Sequence, residues 1–173
     1  PEALRKSLKP SQLDEIQDRF AMAVIIFKLM NDNLHPYQGL PISSNIPSDL
    51  DSRIKLNMYA YSSKGSAKQS PMKQSIHHYF DDDTRKLFDR AFSNNPSDRP
   101  SASEWVTHLS ELINPQNNII TQCLNNKSHW HFNKGCGFCA REKHSKIKKI
   151  SSAPPAKRPI RPVTQVQNQY KTT

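Results

Sequence analysis

The chain has 173 residues, of which 35% are hydrophobic, and a formal net charge of +10. That length accommodates one ordinary domain plus a small module or tail, and so low an apolar fraction excludes a single core running the whole length. Residues 1–122 carry 14 Lys+Arg and 14 Asp+Glu, whereas residues 123–173 carry 11 Lys+Arg and one acidic residue, so the whole excess charge lies in the C-terminal part. A neutral body with a basic tail suggests an anionic partner, nucleic acid or an acidic protein, the plainer reading being a solvated tail.

In chain order, residues 2–9 have weak helical character and stop at Pro10. "RFAMAVIIFKLM" (19–30) is apolar on almost every face, which predicts a helix buried on all sides, with Asp18 as its N-terminal carboxylate. Interrupted by Lys28, that run is far short of the roughly 20 residues that cross a bilayer, so no membrane partner is expected. No leader pattern opens the chain, and the cytoplasm is the expected compartment. Its first residue is Pro1, not methionine, and it reads as a processed product or a piece of a longer one.

Prolines and a glycine over 36–48 predict a loop, residues 50–61 a short helix, and 62–75 an exposed polar loop. Asp81, Asp82 and Asp83 open the next helix, whose apolar face is Leu87, Phe88, Ala91 and Phe92. His77 and His78 before it read as part of the loop rather than as metal ligands. Ser101 and Glu104 form a capping box ahead of Trp105, Val106, Leu109, Leu112 and Ile113.

All three cysteines fall in the pattern Cys123-x5-His129-x6-Cys136-x2-Cys139. A C-x-x-C pair brings two thiolates from one turn to one ion, and four N/S ligands close the tetrahedron that structural zinc prefers. Either His129 or His131 can be the fourth ligand by spacing. Gly135 and Gly137 suit a metal-binding knuckle. Trp130 and Phe132 beside it are candidates for packing around the metal or for stacking on bases. Residues 143–173 hold four prolines, eight Lys+Arg and no acid, which predicts disorder. Lys143, Lys146, Lys148, Lys149, Lys157, Arg158 and Arg161 are its candidate phosphate contacts, for salt-sensitive binding to nucleic acid without base reading.

Three separated stretches together resemble the protein kinase family. "PEAL" at 1–4 is similar to the end of the A-P-E motif that closes a kinase activation segment. "DRFAMAVIIFKLMNDNLHPYQG" (18–39) resembles the central helix of the C-lobe, and "LFDRAFSNNPSDRPSASEW" (87–105) its last two helices. The following Cys/His stretch is similar to a bacterial Ser/Thr-kinase-like subgroup in which a zinc-ribbon-like element follows the kinase domain, sometimes with a helix-hairpin-helix DNA-binding segment. Members usually show C-P-W-C where this chain has Cys136-Gly-Phe-Cys139.

The resemblance implies an all-α fold: a partial kinase C-lobe over 1–115, a zinc-binding element over 116–142 with His129 as ligand, and a basic tail over 143–173. It makes Glu2 and Arg99 an ion pair and Asp18 an acceptor for catalytic-loop amides. These are scaffold roles. The Gly-rich loop, the nucleotide lysine, H-R-D and D-F-G are absent from these 173 residues, so no catalytic or ATP-binding residue is expected here. The implied parent is a Ser/Thr kinase using ATP and Mg, with a preceding kinase portion and a protein substrate as partners, and the isolated chain is inactive. The rival reading is a pseudokinase scaffold with a zinc-stabilised docking module.

Overall fold

The computed structural model describes residues 1–143. Helices α1 (Glu2–Lys6), α2 (Glu15–Met30), α3 (Leu50–Lys55), α4 (Asp82–Ala91), α5 (Ala102–Ile113) and α6 (137–143) are joined by short 3-10 turns and two antiparallel ribbons. Strand β1 (Gly39–Pro41) pairs with β2 (Gln69–Pro71), and β3 (Ile120–Gln122) with β4 (Trp130–Phe132). The ribbons are additions to the all-α expectation. Each strand is three residues long, too short for alternation to register in the sequence.

Helix α2 begins four residues earlier than expected. Asp14, not Asp18, is its cap: the Asp14 carboxylate accepts from the Ile16 amide at 2.9 Å, and Gln17 reaches back to the Asp14 amide. Asp18 lies exposed in the first turn, where its charge suits the helix dipole. Nor is α2 buried all round. Ala23 and Phe27 are fully buried, while Ile25 is 58% and Leu29 80% exposed, because the described residues pack against one side only.

Phe27 is the centre of an aromatic core. Its ring lies 5.0 Å from those of Phe88 and Tyr61, and Phe88 in turn lies 5.1 Å from Trp105 on α5. The edge-on and tilted geometries are those the ring quadrupoles favour. Helix α3 stops at Lys55, and Asn57 adopts a left-handed φ of 48°, which turns Met58, Tyr59, Ala60 and Tyr61 into this core. In the 62–75 segment, Gln69 is fully buried and donates to the carbonyls of Tyr37 and Met58. Asn31, at the end of α2, accepts from the Ser75 hydroxyl at 3.0 Å and the Ile76 amide at 2.9 Å. That segment is therefore anchored, not a free loop.

His77 is a core residue, 4% exposed, with its ring 5.3–5.6 Å from those of Phe80, Tyr61 and Phe27. Burial, with the charges of Arg85 and His78 adding to it, pushes its pKa down to about 3. The unfolded chain takes up a proton here near pH 6.5 and the folded chain does not, so stability falls as pH drops through that window, by about 2 kcal/mol at pH 5. His77→Phe removes this term. The expected result is a smaller drop in melting temperature from pH 7 to pH 5 than in the wild type; equal drops would contradict it.

Candidate metal centre

The β3–β4 ribbon carries two ligands just outside its strands: Cys123 follows β3 and His129 precedes β4. Their backbones are tied by the Cys123 amide donating to the His129 carbonyl at 2.9 Å. The other two come from the start of α6. Cys136 acts as its cap, its Sγ 3.5 Å from the Cys139 amide. Gly135, at a φ of 107°, makes the left-handed turn that delivers Cys136.

The Sγ atoms of Cys123, Cys136 and Cys139 and a ring nitrogen of His129 lie within 4.8 Å of one another and could hold a metal ion. Cys123 Sγ is 3.6 Å from Cys139 Sγ, and His129 Nδ1 is 3.6 and 3.5 Å from the Cys136 and Cys139 sulfurs. A tetrahedral ion with metal–sulfur bonds of about 2.3 Å requires ligand–ligand edges of about 3.8 Å. The donor set and its spacing are thus compatible with a closed structural zinc site. His131 is not in this group; it lies within β4 with Nδ1 2.8 Å from the Phe132 carbonyl oxygen.

The thiols are electrostatically crowded. Desolvation pushes Cys123 up, but the amides of Asn126 and Asn125 outweigh it and pull the thiol down to about 7. Desolvation and the two neighbouring sulfurs push Cys139 up to about 12. Three sulfurs this close ionise together only when a cation sits among them. Behind the ligands, Glu142 on α6 places a carboxylate oxygen 3.4 Å from His129 Nε2. The Asn126 side-chain amide lies closer to the same nitrogen, at 3.1 Å, so two polar groups hold the ring with Nδ1 toward the sulfurs. The sequence offers a signal for Glu142, as the sole acidic residue after Glu111, but none for its pairing with His129.

The element is docked on the helical body. Phe132 is buried with its ring 5.4 Å from Phe80, Lys134 pairs with Asp82 at 2.5 Å, and Arg141 pairs with Asp32. Gly137 sits so close to the body that a Cβ there would lie 2.8 Å from Ile76 Cβ and 2.8 Å from Tyr79 Cδ2. Its role is close approach rather than the knuckle turn. Gly137→Ala is expected to push the element off the body, at about 1–3 kcal/mol for such overpacking. The checks are a lower melting temperature and faster release of metal to a chelator. Trp130 and Phe132 part company: Trp130 is 59% exposed, and Phe132 is core.

At the other end of the molecule, Arg99 is 1% exposed. Its Nη2 lies 2.8 Å from Glu2 Oε2 and its Nη1 donates to the Ile16 carbonyl at 2.9 Å. The guanidinium stacks 5.3 Å from the Phe20 ring centre. Burial raises the Glu2 carboxyl, but its own amide and Arg99 outweigh that and hold it below the usual value. The Asp18 side chain forms no hydrogen bond or ion pair with these groups among the described residues. Of the basic residues, Lys143 is exposed on α6; Lys146, Lys148, Lys149, Lys157, Arg158 and Arg161 lie outside the described residues.

Among known proteins, the chain is similar to a protein named protein kinase YegI from Escherichia coli (strain K12), with 29% identity over 102 residues. The match covers 57% of this chain and 16% of that relative. The same-named protein of Escherichia coli O157:H7 is 29% identical over 99 residues, 55% of this chain and 15% of the relative. No family model and no solved structure matches. The chain is thus related to proteins named as kinases, and it spans a small fraction of their length.

Proposed function

We propose that residues 1–115 form part of a protein-kinase C-lobe, braced by a zinc-bound element at 116–142, in a protein that transfers the ATP γ-phosphoryl group to Ser or Thr hydroxyls. The observation that carries this reading is the buried Arg99 joined to Glu2 across nearly a hundred residues. In kinase order that pair ties the end of the activation segment to the helical lobe. The likeness to proteins named as kinases supports it.

These residues scaffold the reaction and do not perform it. Phosphoryl transfer requires a nucleotide cradle, metal-binding carboxylates and a base, and the 173 residues hold none of the corresponding motifs. The zinc reading rests on the donor set and its edges, and a site closed by four protein ligands is structural rather than catalytic. The test is the product of the complete reading frame, incubated with Mg-ATP and a Ser/Thr-containing acceptor protein. Phosphate transfer by that product, and none by the 173 residues alone, is expected. A complete product that neither binds ATP nor transfers phosphate would replace the enzyme with a docking scaffold.

A further inference from the structure

Away from the metal centre, a cavity of about 160 Å³ opens between the 62–75 segment and the first turns of α4. Its polar lining is Ser62, Lys73, Ser75, His77, His78 and Arg85, and no carboxylate lines it. Two nitrogens there are buried without a hydrogen-bond partner: Nε of Arg85 and Nε2 of His77, the latter on a residue 96% buried. Arg85 forms no ion pair among the described residues. The nearby acids are engaged elsewhere. Asp89 accepts from the Ser63 amide at 3.1 Å, and Asp81 caps α4 through the Thr84 amide at 3.2 Å.

An unpaired guanidinium nitrogen in a cavity with no carboxylate is costly, and a small oxyanion removes that cost. Arg85 offers a planar fork suited to two oxygens of a tetrahedral anion, Lys73 a mobile point charge at the mouth, and His77 a ring nitrogen from the floor. The cavity is too small for a nucleotide and wide enough for one phosphoryl group.

We propose that this cavity is a phosphoryl-anion site, with Arg85 as the bidentate ligand and Lys73 as its partner. The anion is either free orthophosphate or the phosphate of a phosphorylated Ser or Thr side chain.

Isothermal titration of the full 173-residue chain, as purified, tests this with two probes: inorganic phosphate, and a phosphoserine hexapeptide beside its unphosphorylated form. Saturable phosphate binding is expected, weakened about tenfold or more by Arg85→Gln, since a charged hydrogen bond is lost. Lys73→Gln, at an exposed position, weakens it by a smaller factor and leaves the fold intact, so it reads the site even if Arg85→Gln does not fold. A double variant of exposed lysines outside the cavity, Lys6→Gln and Lys9→Gln, leaves the affinity unchanged. Tighter binding of the phosphopeptide than of inorganic phosphate assigns the site to a modified side chain, and equal binding assigns it to free phosphate. Binding of neither probe overturns the proposal, as does affinity that survives both cavity variants or is lost with the Lys6 and Lys9 variant.

Discussion

Arg99→Ala is expected to lower the melting temperature by roughly 10 °C or more, from a loss of about 3–5 kcal/mol for breaking a buried pair on one side. The substitution does three things at once. It removes the close, buried partner of the Glu2 carboxylate, only 12% exposed, and leaves it Arg5 and the N-terminal amine, each at 3.7 Å. It strands the Ile16 carbonyl, and it removes the cation stacked on Phe20. Arg90→Ala is the control. Arg90 also bridges elements, donating to the Asp98 carbonyl and pairing with Glu104 at 2.8 Å, but both side chains are more than 40% exposed. Such pairs contribute about 0–1 kcal/mol. The pH dependence separates the two further. Because the folded Glu2 carboxyl is held below 4.5, its contribution is complete above that pH and is lost as pH falls through the folded value. Wild-type protein should therefore lose stability more steeply below pH 4.5 than Arg99→Ala. Equal melting temperatures for the two Arg variants would sink the pairing as a structural element.

The features legible in the sequence are those whose cause is local. The Ser101–Glu104 box is written in two residues three apart, and both of its reciprocal bonds form, at 2.9 and 3.2 Å. Asp14-x-x-Gln17 is the same signal, and both of its bonds form. The apolar run begins only at Phe20, so periodicity alone places the helix start at Asp18, inside the true boundary. The four-ligand cluster is legible because thiols and imidazole at knuckle spacing have few other uses. Burial of polar groups is not legible. Gln69 is held by carbonyls 32 and 11 residues away, and His77 by the rings of Phe27 and Tyr61 on two other segments. Nothing within either neighbourhood encodes those partners. Arg99 belongs to the same kind. Locally it is a charge before a helix, and only a family resemblance offers it Glu2.

Removing the metal is expected to have the other large effect, and to act on one region first. Residues 116–142 bury little beyond Cys123 and Phe132, so metal–ligand bonds must supply most of their folding free energy, which reaches about 10–16 kcal/mol in small zinc modules. The helical body has its own aromatic core around Phe27 and Phe88 and should persist. The two are not independent, because Gly137, Phe132 and Arg141 press the element onto Ile76, Phe80 and Asp32. Chelation should therefore unfold the element outright and lower the melting temperature of the body by a smaller amount. Elemental analysis of protein purified without chelator should find about one zinc per chain, as a closed site requires. All three thiols should then react with a disulfide reagent only after metal removal. Cys136→Ser should reproduce the chelated state, since it removes one thiolate ligand while its hydroxyl can still cap α6. Glu142→Gln should keep the metal but bind it about tenfold or more weakly, the usual cost of losing the carboxylate behind a ligating histidine. Thiols that react freely in the untreated protein, or a melting curve indifferent to chelator, would show that these four residues are an ordinary cluster.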